Sequence, residues 1–142
     1  MENADYILCE CGLEPLESFI REMETQCVVQ VVRQPSIATT MIRAEDSVEG
    51  QPFYLGEALI TECELTVDGQ AGFGVCLGDE PVRSYCIAVI DALIVLSDAR
   101  ISRVRTFLAE QEALIARSLA MEHGHIQRTK VDFKLMEESD NL

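Results

Sequence analysis

The feature that most constrains the fold is a long alternation of apolar and polar residues, interrupted by one Asp-Gly pair. It occupies residues 59–77, which read LITECELTVDGQAGFGVCL. Apolar residues stand mostly at odd-numbered positions on both sides of Asp68 and Gly69. A period of two is typical of a strand with one buried face, so the segment predicts an antiparallel β-hairpin.

The length of the turn decides which residues of this hairpin share a face. A two-residue loop would pair Val67 with Gln70, and so odd positions with even ones. A three-residue loop that begins at Val67 pairs odd with odd, and it places Gly69 at the left-handed position of a G1 bulge. We therefore predict the three-residue loop, although an Asp-Gly pair alone favours the shorter one.

Two glycines occupy positions of the second strand where a side chain would normally stand. In the predicted register Gly72 faces Glu64 and Gly74 faces Glu62, on the side of the sheet away from Phe73. Glycine weakens a strand, and it is often found where another backbone or a ligand comes close. These two glycines and two glutamates therefore predict a docking surface. The alternative is a β-bulge or an irregular stretch.

The remaining pattern predicts an α+β domain, with helices packed on a mainly antiparallel sheet of four to five strands. One domain over residues 1–142 suits this chain length. Beside the hairpin, strands are expected at Cys27–Pro35, Ile37–Glu45 and Thr129–Met136. Helices are expected at Ala4–Cys11, at Glu14–Met23, from Pro81 to about Ser97, and from Ser102 to about Glu122, where Gly124 ends the helix.

The helix predicted from Pro81 is apolar on both sides, so it is either central to the domain or covered by a partner. Asp91 is the charged residue within its most apolar stretch. It is interpreted as a carboxylate at the rim of the packed surface or as a buried, paired aspartate at a subunit contact. Both interpretations are open at this point.

The charge balance excludes some classes of partner. The chain has 11 basic and 25 acidic residues, for a formal net charge of -14. Nucleic acids and anionic membranes need a basic face, so neither is an expected partner. The acidity fits solubility alone or docking onto a more basic protein. No apolar run is long enough for a membrane span, and no signal peptide is evident, so a cytoplasmic protein with reduced cysteines is expected.

Motifs with known chemistry are missing from the sequence. There is no P-loop, and the glycines at 72 and 74 lack the third glycine of a dinucleotide fingerprint. Cys9 with Cys11, and His123 with His125, do not have the spacing of a zinc site. No metal, no cofactor and no catalytic residue is therefore assigned to this chain.

Three glutamates leave an enzymatic alternative open. Glu57, Glu62 and Glu64 supply carboxylates that an acid/base enzyme could use. A stand-alone small enzyme is thus the alternative function, while the plainer interpretation of these residues is a solvated strand face.

Short motifs follow one another along nearly the whole chain. They are VRQP leading to MIR (Val32–Arg43), LGEALITECEL (Leu55–Leu65), GFG then GD (Gly72–Asp79), IDAL (Ile90–Leu93) and KVDF (Lys130–Phe133). Their order, spacing and total length resemble the PhnG family, which are small subunits of the bacterial carbon–phosphorus lyase core complex.

The resemblance implies a function that the residues alone do not show. PhnG-like proteins act with PhnI-like, PhnH-like and PhnL-like proteins to replace the adenine of MgATP by an alkylphosphonate. The product is a ribose 1-phosphonate 5-triphosphate, and adenine is released. In that system the nucleosidase activity belongs to PhnI and the radical iron–sulfur chemistry to PhnJ. The expected role is a structural, organising subunit with no cofactor of its own, and MgATP is a substrate of the complex.

Two departures from the family pattern concern arginines. Relatives often have an arginine between the glycine and aspartate of the GD motif, but Gly78 and Asp79 are adjacent here. The end of the chain also lacks the usual Arg-Gly, and Lys134 follows Phe133. Within the expected role, Arg33 and Arg43 are candidates for contacts to phosphate or to partner carboxylates, since arginine suits both. The plainer interpretation is two ordinary exposed strand arginines.

Overall fold

The computed structural model describes the backbone of residues 3–140 and the side chains of residues 3–123. The predicted α+β architecture is confirmed, with helices packed on an antiparallel sheet. In chain order the elements are α1 (Ala4–Glu10), α2 (Leu13–Glu24), β1 (Val29–Glu45), β2 (Pro52–Val67), β3 (Gln70–Leu77), α3 (Pro81–Leu96) and α4 (Ile101–Asp140).

Within residues 3–140 the sheet has three strands in the order β1-β2-β3, fewer than the four to five predicted. One reason is that the two strands predicted at Cys27–Pro35 and Ile37–Glu45 form the single strand β1. Pro35 does not end this strand, because β1 is an edge strand and its register shifts between Arg33 and Ser36. Proline is tolerated on edge strands and at bulges, where its missing N–H is not needed.

The strand predicted at Thr129–Met136 is wrong, because α4 continues through this segment to Asp140. Gly124 does not end the helix either, because a glycine in a helix interior costs only about 1 kcal/mol relative to alanine. The short alternation at residues 131–135 lies among good helix formers such as Lys, Glu, Leu and Met. Local helix propensity therefore prevails over a pattern of only a few residues.

The core lies between the sheet and the helices, with α3 at its centre. Helix α3 packs over β3 and β2 on one side and against α2 and α4 on the other. This central position explains why α3 is apolar on both sides. The largest side chains that are fully buried include Leu8, Leu16, Met23, Leu65, Ile90 and Leu93.

Aromatic stacking joins α2 to α4. The rings of Phe19 and Phe107 are stacked, with centroids 4.2 Å apart and an interplanar angle of 6°. The Arg103 guanidinium lies 5.3 Å from the Phe19 ring centroid and forms a 2.9 Å ion pair with Glu22. The cation therefore covers the outer side of an aromatic pair whose other faces are buried.

A buried arginine completes the end of α1. Arg83 is only 8% exposed, and its Nη1 donates hydrogen bonds of 2.8 Å to the backbone carbonyls of Leu8 and Cys11. Its Nε pairs with Glu80 at 3.1 Å. The last carbonyls of a helix have no partner within the helix, so Arg83 supplies one and ties α1 to α3.

Candidate interaction surface

The hairpin turn is shorter than predicted, and this change exchanges the faces of β3. Val67 pairs with Gln70, so the loop consists of Asp68 and Gly69 alone. Both residues have positive φ, +50° and +85°, as a two-residue type I′ turn requires. The predicted three-residue loop is therefore wrong, and residues of odd number in β2 share a face with residues of even number in β3.

Contacts from outside the hairpin hold Asp68 in its left-handed conformation. Its carboxylate accepts a 2.9 Å hydrogen bond from the Val28 backbone N–H and forms a 2.6 Å ion pair with Arg100. The Val28 N–H and then the Arg100 guanidinium hold the pKa of Asp68 below its ordinary value. Arg100 also donates to the carbonyl of Gln26. The sequence of the hairpin alone contains none of these partners, which explains the error in the predicted loop length.

Gly72 and Gly74 lie beneath α3 and not on an open surface. Gly72 pairs with Leu65 and Gly74 with Cys63, both fully buried. A Cβ atom at Gly72 would collide with the Ala88 carbonyl, and one at Gly74 would collide with backbone atoms of α3. The predicted docking face at these glycines is therefore wrong. Their physical role is to let α3 approach the strand closely.

The opposite face of β3 carries the exposed apolar side chains. Phe73, Val75 and Leu77 point away from α3, and Leu77 is 70% exposed. Phe73 is paired with Glu64 and Val75 with Glu62, so the two glutamates stand beside apolar groups and are half-buried. We call this set of five residues the outer face. Glu62 and Glu64 also belong to the surface predicted from the sequence, but apolar residues of β3 stand beside them in place of the two glycines.

Asp91 has a partner inside its own domain. Its Oδ2 accepts a 3.0 Å hydrogen bond from the backbone N–H of Phe73. Strand β3 is at the edge of the sheet, and this bond satisfies one of its free backbone donors. This hydrogen bond gives the Asp91 carboxylate a partner within its own domain, so no second subunit is needed to explain the charge on α3. A contact of Asp91 with another subunit stays a prediction.

Strands β1 and β2 extend well beyond the end of β3. The last pair between β2 and β3 joins Ile60 to Leu77. Beyond it, β1 and β2 continue as a two-stranded ribbon, from the pair of Thr39 and Leu59 to the pair of Glu45 and Pro52. We call residues 39–59 the arm. Seven residues of extended chain make it roughly 20 Å long.

Both faces of the arm expose apolar side chains. Met41 and Leu59 lie on the face that continues from beneath α3, while Ile42 and Phe53 lie on the other. The exposed large apolar side chains of the arm are Met41, Ile42, Val48, Phe53, Tyr54, Leu55 and Leu59. This surface was not predicted from the sequence. The apolar run Phe53 to Leu55, which directly follows Pro52, is the sequence signal that could have indicated a longer strand here.

The two candidate arginines do not form one site. Arg33 is paired with Glu64 at the base of β1, and Arg43 lies in the arm with its guanidinium 5.9 Å from the Tyr54 ring centroid. Ten residues of one strand separate them, which corresponds to roughly 30 Å. A joint phosphate clamp is therefore not formed by this chain, and a contact of either arginine with phosphate or with a partner stays a prediction.

The structure does not gather the three glutamates of the enzymatic alternative. Glu62 and Glu64 lie on the outer face, and Glu57 lies on the opposite face of β2, paired with Met41 in the arm. A cavity of about 220 Å³ lies on the helical side, between α1 and α4, where Arg105 and Glu112 are among its lining residues. Acid/base catalysis needs its carboxylates in a cleft that excludes water, and these three do not line this cavity.

The thiols of the core are not suited to nucleophilic chemistry. Burial raises the pKa of Cys76 to about 11 and that of Cys86 to about 12. Both thiols therefore stay protonated at neutral pH, and the thiol is a poor nucleophile. Among the described residues, no group of three His, Cys, Asp or Glu side chains is placed to hold a metal ion. The same residues contain no helix with the length and hydropathy of a membrane span.

Comparison with known proteins decides the family. Residues 3–138 match the family described as phosphonate metabolism protein PhnG. The chain belongs to the PhnG family. A curated relative from Rhizobium meliloti (strain 1021) is named alpha-D-ribose 1-methylphosphonate 5-triphosphate synthase subunit PhnG, and it is 35% identical over 66 residues. That alignment covers 46% of this chain and 42% of the relative, so less than half of either protein is aligned.

Membership of the PhnG family confirms the resemblance found in the sequence and places the chain in phosphonate metabolism. The relative is named as a subunit, which agrees with a surface suited to binding other proteins. The residues brought together on that surface are apolar side chains of the outer face and of the arm. The two glycines predicted to form a docking surface are not among them, and neither is Arg33.

Proposed function

We propose that this chain is a non-catalytic, organising subunit of a phosphonate-processing synthase. In the proposed reaction an alkylphosphonate replaces the adenine of MgATP, which yields a ribose 1-phosphonate 5-triphosphate and free adenine. MgATP is then a substrate of the whole complex and not a ligand held by this chain alone. The proposed partners are PhnI-like, PhnH-like, PhnJ-like and PhnL-like proteins.

The observation that carries this proposal is the family match over residues 3–138, joined to an apolar surface that the described part of the chain leaves exposed. An exposed patch of this kind, rimmed by polar residues, marks a protein–protein interaction site. The name of the Rhizobium relative supports the class of reaction, since it specifies a ribose phosphonate triphosphate synthase.

The geometry also supports a role without chemistry of its own. The glutamates at 57, 62 and 64 occupy two opposite faces of one strand, and two core thiols are held protonated by burial. A reaction that removes adenine from MgATP needs a site that binds triphosphate and activates a leaving group. In this proposal the partner subunits supply that site.

Reconstitution with purified subunits tests the proposal. MgATP and methylphosphonate are incubated with the PhnI-like, PhnH-like and PhnL-like proteins, with and without this chain, and released adenine is quantified. We expect the rate to fall at least about tenfold without the chain, and we expect no adenine release by the chain alone. Turnover by the isolated chain, or full activity of the complex without it, would contradict the organising role.

A further inference from the structure

We propose that the arm, residues 39–59, is the part of this chain that binds another subunit, in an apolar groove whose edges carry basic residues. The inference rests on the proposed function, because it names the surface and the partner chemistry through which an organising subunit acts.

The apolar surface that the arm exposes over its two faces is comparable to the largest apolar patch of a typical monomer. Seven large apolar side chains are exposed there, by between 42% and 88% of their surface. An aromatic side chain covers about 150–250 Å² when it is buried and an aliphatic one somewhat less, so seven that are about half exposed present on the order of 600 Å² over the two faces. The largest apolar patch on a typical monomer is about 300–600 Å², and one side of a specific interface is about 800 Å².

The distribution of this surface over two faces defines the shape of the partner. Met41 and Leu59 point to one side of the ribbon, and Ile42 and Phe53 point to the other. A flat partner would cover only one side and leave the second in water. A groove that receives the ribbon edge-on covers both, so we infer a groove.

The arm also lacks the layers that stabilise the rest of the sheet. Strand β3 ends at Leu77, opposite Ile60, so the ribbon beyond it has no third strand. An isolated two-stranded hairpin is at best marginally stable in water, and packing against another element is what stabilises it. A partner that encloses the arm supplies that packing.

The charges on the arm determine which charge is expected at the rim of the partner's groove. Within residues 39–59 there is one basic residue, Arg43, against four acidic ones. The acidic residues are Glu45, Asp46, Glu49 and Glu57. Charged groups at the rim of an interface are complementary to those of the partner, so the groove carries lysines or arginines at its edge.

The same charges argue against a second copy of this chain as the occupant. The whole chain has a formal net charge of -14, and two arms side by side would bring their acidic residues together. Like charges that face each other across an interface cost free energy. A basic partner subunit removes this repulsion, and a copy of the chain does not.

A shortened chain tests the inference without disturbing the fold. The Leu59 carbonyl accepts a hydrogen bond from Gly78, so Leu59 faces β3 and the neighbouring pair of Thr40 and Ala58 is the hydrogen-bonded pair between β1 and β2. Residues 41–57 can therefore be replaced by an Asn-Gly turn of two residues. All pairs between β2 and β3 are kept. We expect an unchanged circular dichroism spectrum and a melting temperature within a few degrees of that of the full chain. The other synthase subunits are purified together as one complex, without this chain. We expect the shortened chain to bind that complex about 100-fold more weakly than the full chain, as measured by calorimetry.

Point variants give a finer test with a matched control. Tyr54 and Leu55 are 61% and 64% exposed in the arm, and Leu114 and Leu119 are each 51% exposed on α4. We expect the double variant Y54S/L55S to bind the other subunits at least about tenfold more weakly. The control L114S/L119S is expected to bind within about twofold of the unchanged protein, because it leaves the arm intact.

The possible outcomes separate this inference from the proposed function. If the full chain binds and the shortened chain binds equally well, the inference is wrong and the proposed function stands. If the full chain does not bind the other subunits, both fail. A dimer of the full chain that the shortened chain does not form, seen by sedimentation, would overturn the basic partner in favour of a second copy. Binding that weakens as salt rises from about 50 mM to about 500 mM supports the basic edge.

Discussion

The two ends of the hairpin formed by β1 and β2 have opposite environments, although the strands pair along their whole length. At the base, α3 and β3 cover the sheet, and Leu65 is 0% exposed. In the arm, Leu59 lies on the same strand and the same face, and it is 45% exposed. The burial of a strand residue is therefore decided by what packs on it, and the sequence of the strand decides only which face it points to.

The difference in burial also means that the base contributes to the stability of the fold, while the arm is available to bind a partner. The apolar side chains of the base contribute to folding, since they leave water when α3 packs on them. The apolar side chains of the arm contribute little to folding and remain available for a partner. Variants in the base should therefore lower the free energy of unfolding, and variants in the arm should weaken the binding of a partner.

The largest expected effect is on the free energy of unfolding, and it comes from the close contact between Gly74 of β3 and helix α3. In the variant Gly74→Val, the new side chain would collide with the backbone of α3 at Ser84, which cannot move without the helix. We expect the free energy of unfolding to fall by about 4 kcal/mol, measured by urea denaturation. The control Ala71→Val, at an exposed position of the same strand, is expected to change it by less than about 0.5 kcal/mol. Equal effects of both variants would show that α3 does not pack closely on Gly74.

The second prediction compares two leucines of one strand. Leu65→Ala removes a fully buried side chain and leaves a cavity, so we expect a loss of about 3 kcal/mol in the free energy of unfolding. Leu59→Ala, in the arm, is expected to cost less than about 1 kcal/mol in the isolated chain. A loss at Leu59 as large as that at Leu65 would mean that the arm is packed within its own domain, and the comparison would fail.

The smallest expected effect concerns pH and the turn at the base. The folded-state pKa of Asp68 lies below its ordinary value of 3.8, first because of the Val28 N–H and then because of Arg100. Its stabilising contribution is therefore present above that ordinary value, and it is lost as pH falls through the lower folded-state value. We expect Asp68→Asn, which tolerates the left-handed conformation, to be less stable than the unchanged protein at pH 7.

This pH prediction is checked by urea denaturation of both proteins at several pH values. The difference in stability between them should narrow as the pH is lowered below about 3.8. A difference that is constant with pH would show that the carboxylate charge of Asp68 does not contribute to the turn.

Several elements follow from local patterns, and the structure agrees with them. The helix predicted at Glu14–Met23 is present as α2, and its apolar residues at spacings of three and four, Leu16, Phe19, Ile20 and Met23, are the buried ones. Pro81 stands in the first turn of α3, as predicted. These features depend on neighbours within one or two helical turns, which is the range that a sequence pattern describes.

The errors concern features that depend on distant residues. The two-residue turn is held by Arg100, 32 positions beyond Asp68, and the face of the glycines follows from that turn. A single residue more or less in a turn moves every side chain of the next strand to the other face. This is why the prediction placed the two glycines, and not Phe73 and Val75, beside Glu62 and Glu64.

The arm was missed for a related reason. The strand Ile37–Glu45 was predicted, and the next strand was expected to begin near Leu59, whereas β2 begins at Pro52. Residues 52–58 do not alternate regularly, because Leu55 is extra in the register between Ile42 and Arg43. A ribbon that is exposed on both faces has no strong periodic signal.

By itself, the sequence determined the α+β class, the helices α1 to α3, the presence of the hairpin and the resemblance to the PhnG family. Only the tertiary structure decided which face of β3 is buried, how far β1 and β2 extend, and that α4 continues to Asp140. The physical reason is that periodicity and turn chemistry act over a few residues. Burial, by contrast, depends on which distant element packs against a face, and here Leu65 is buried while Leu59, on the same face of β2, is exposed.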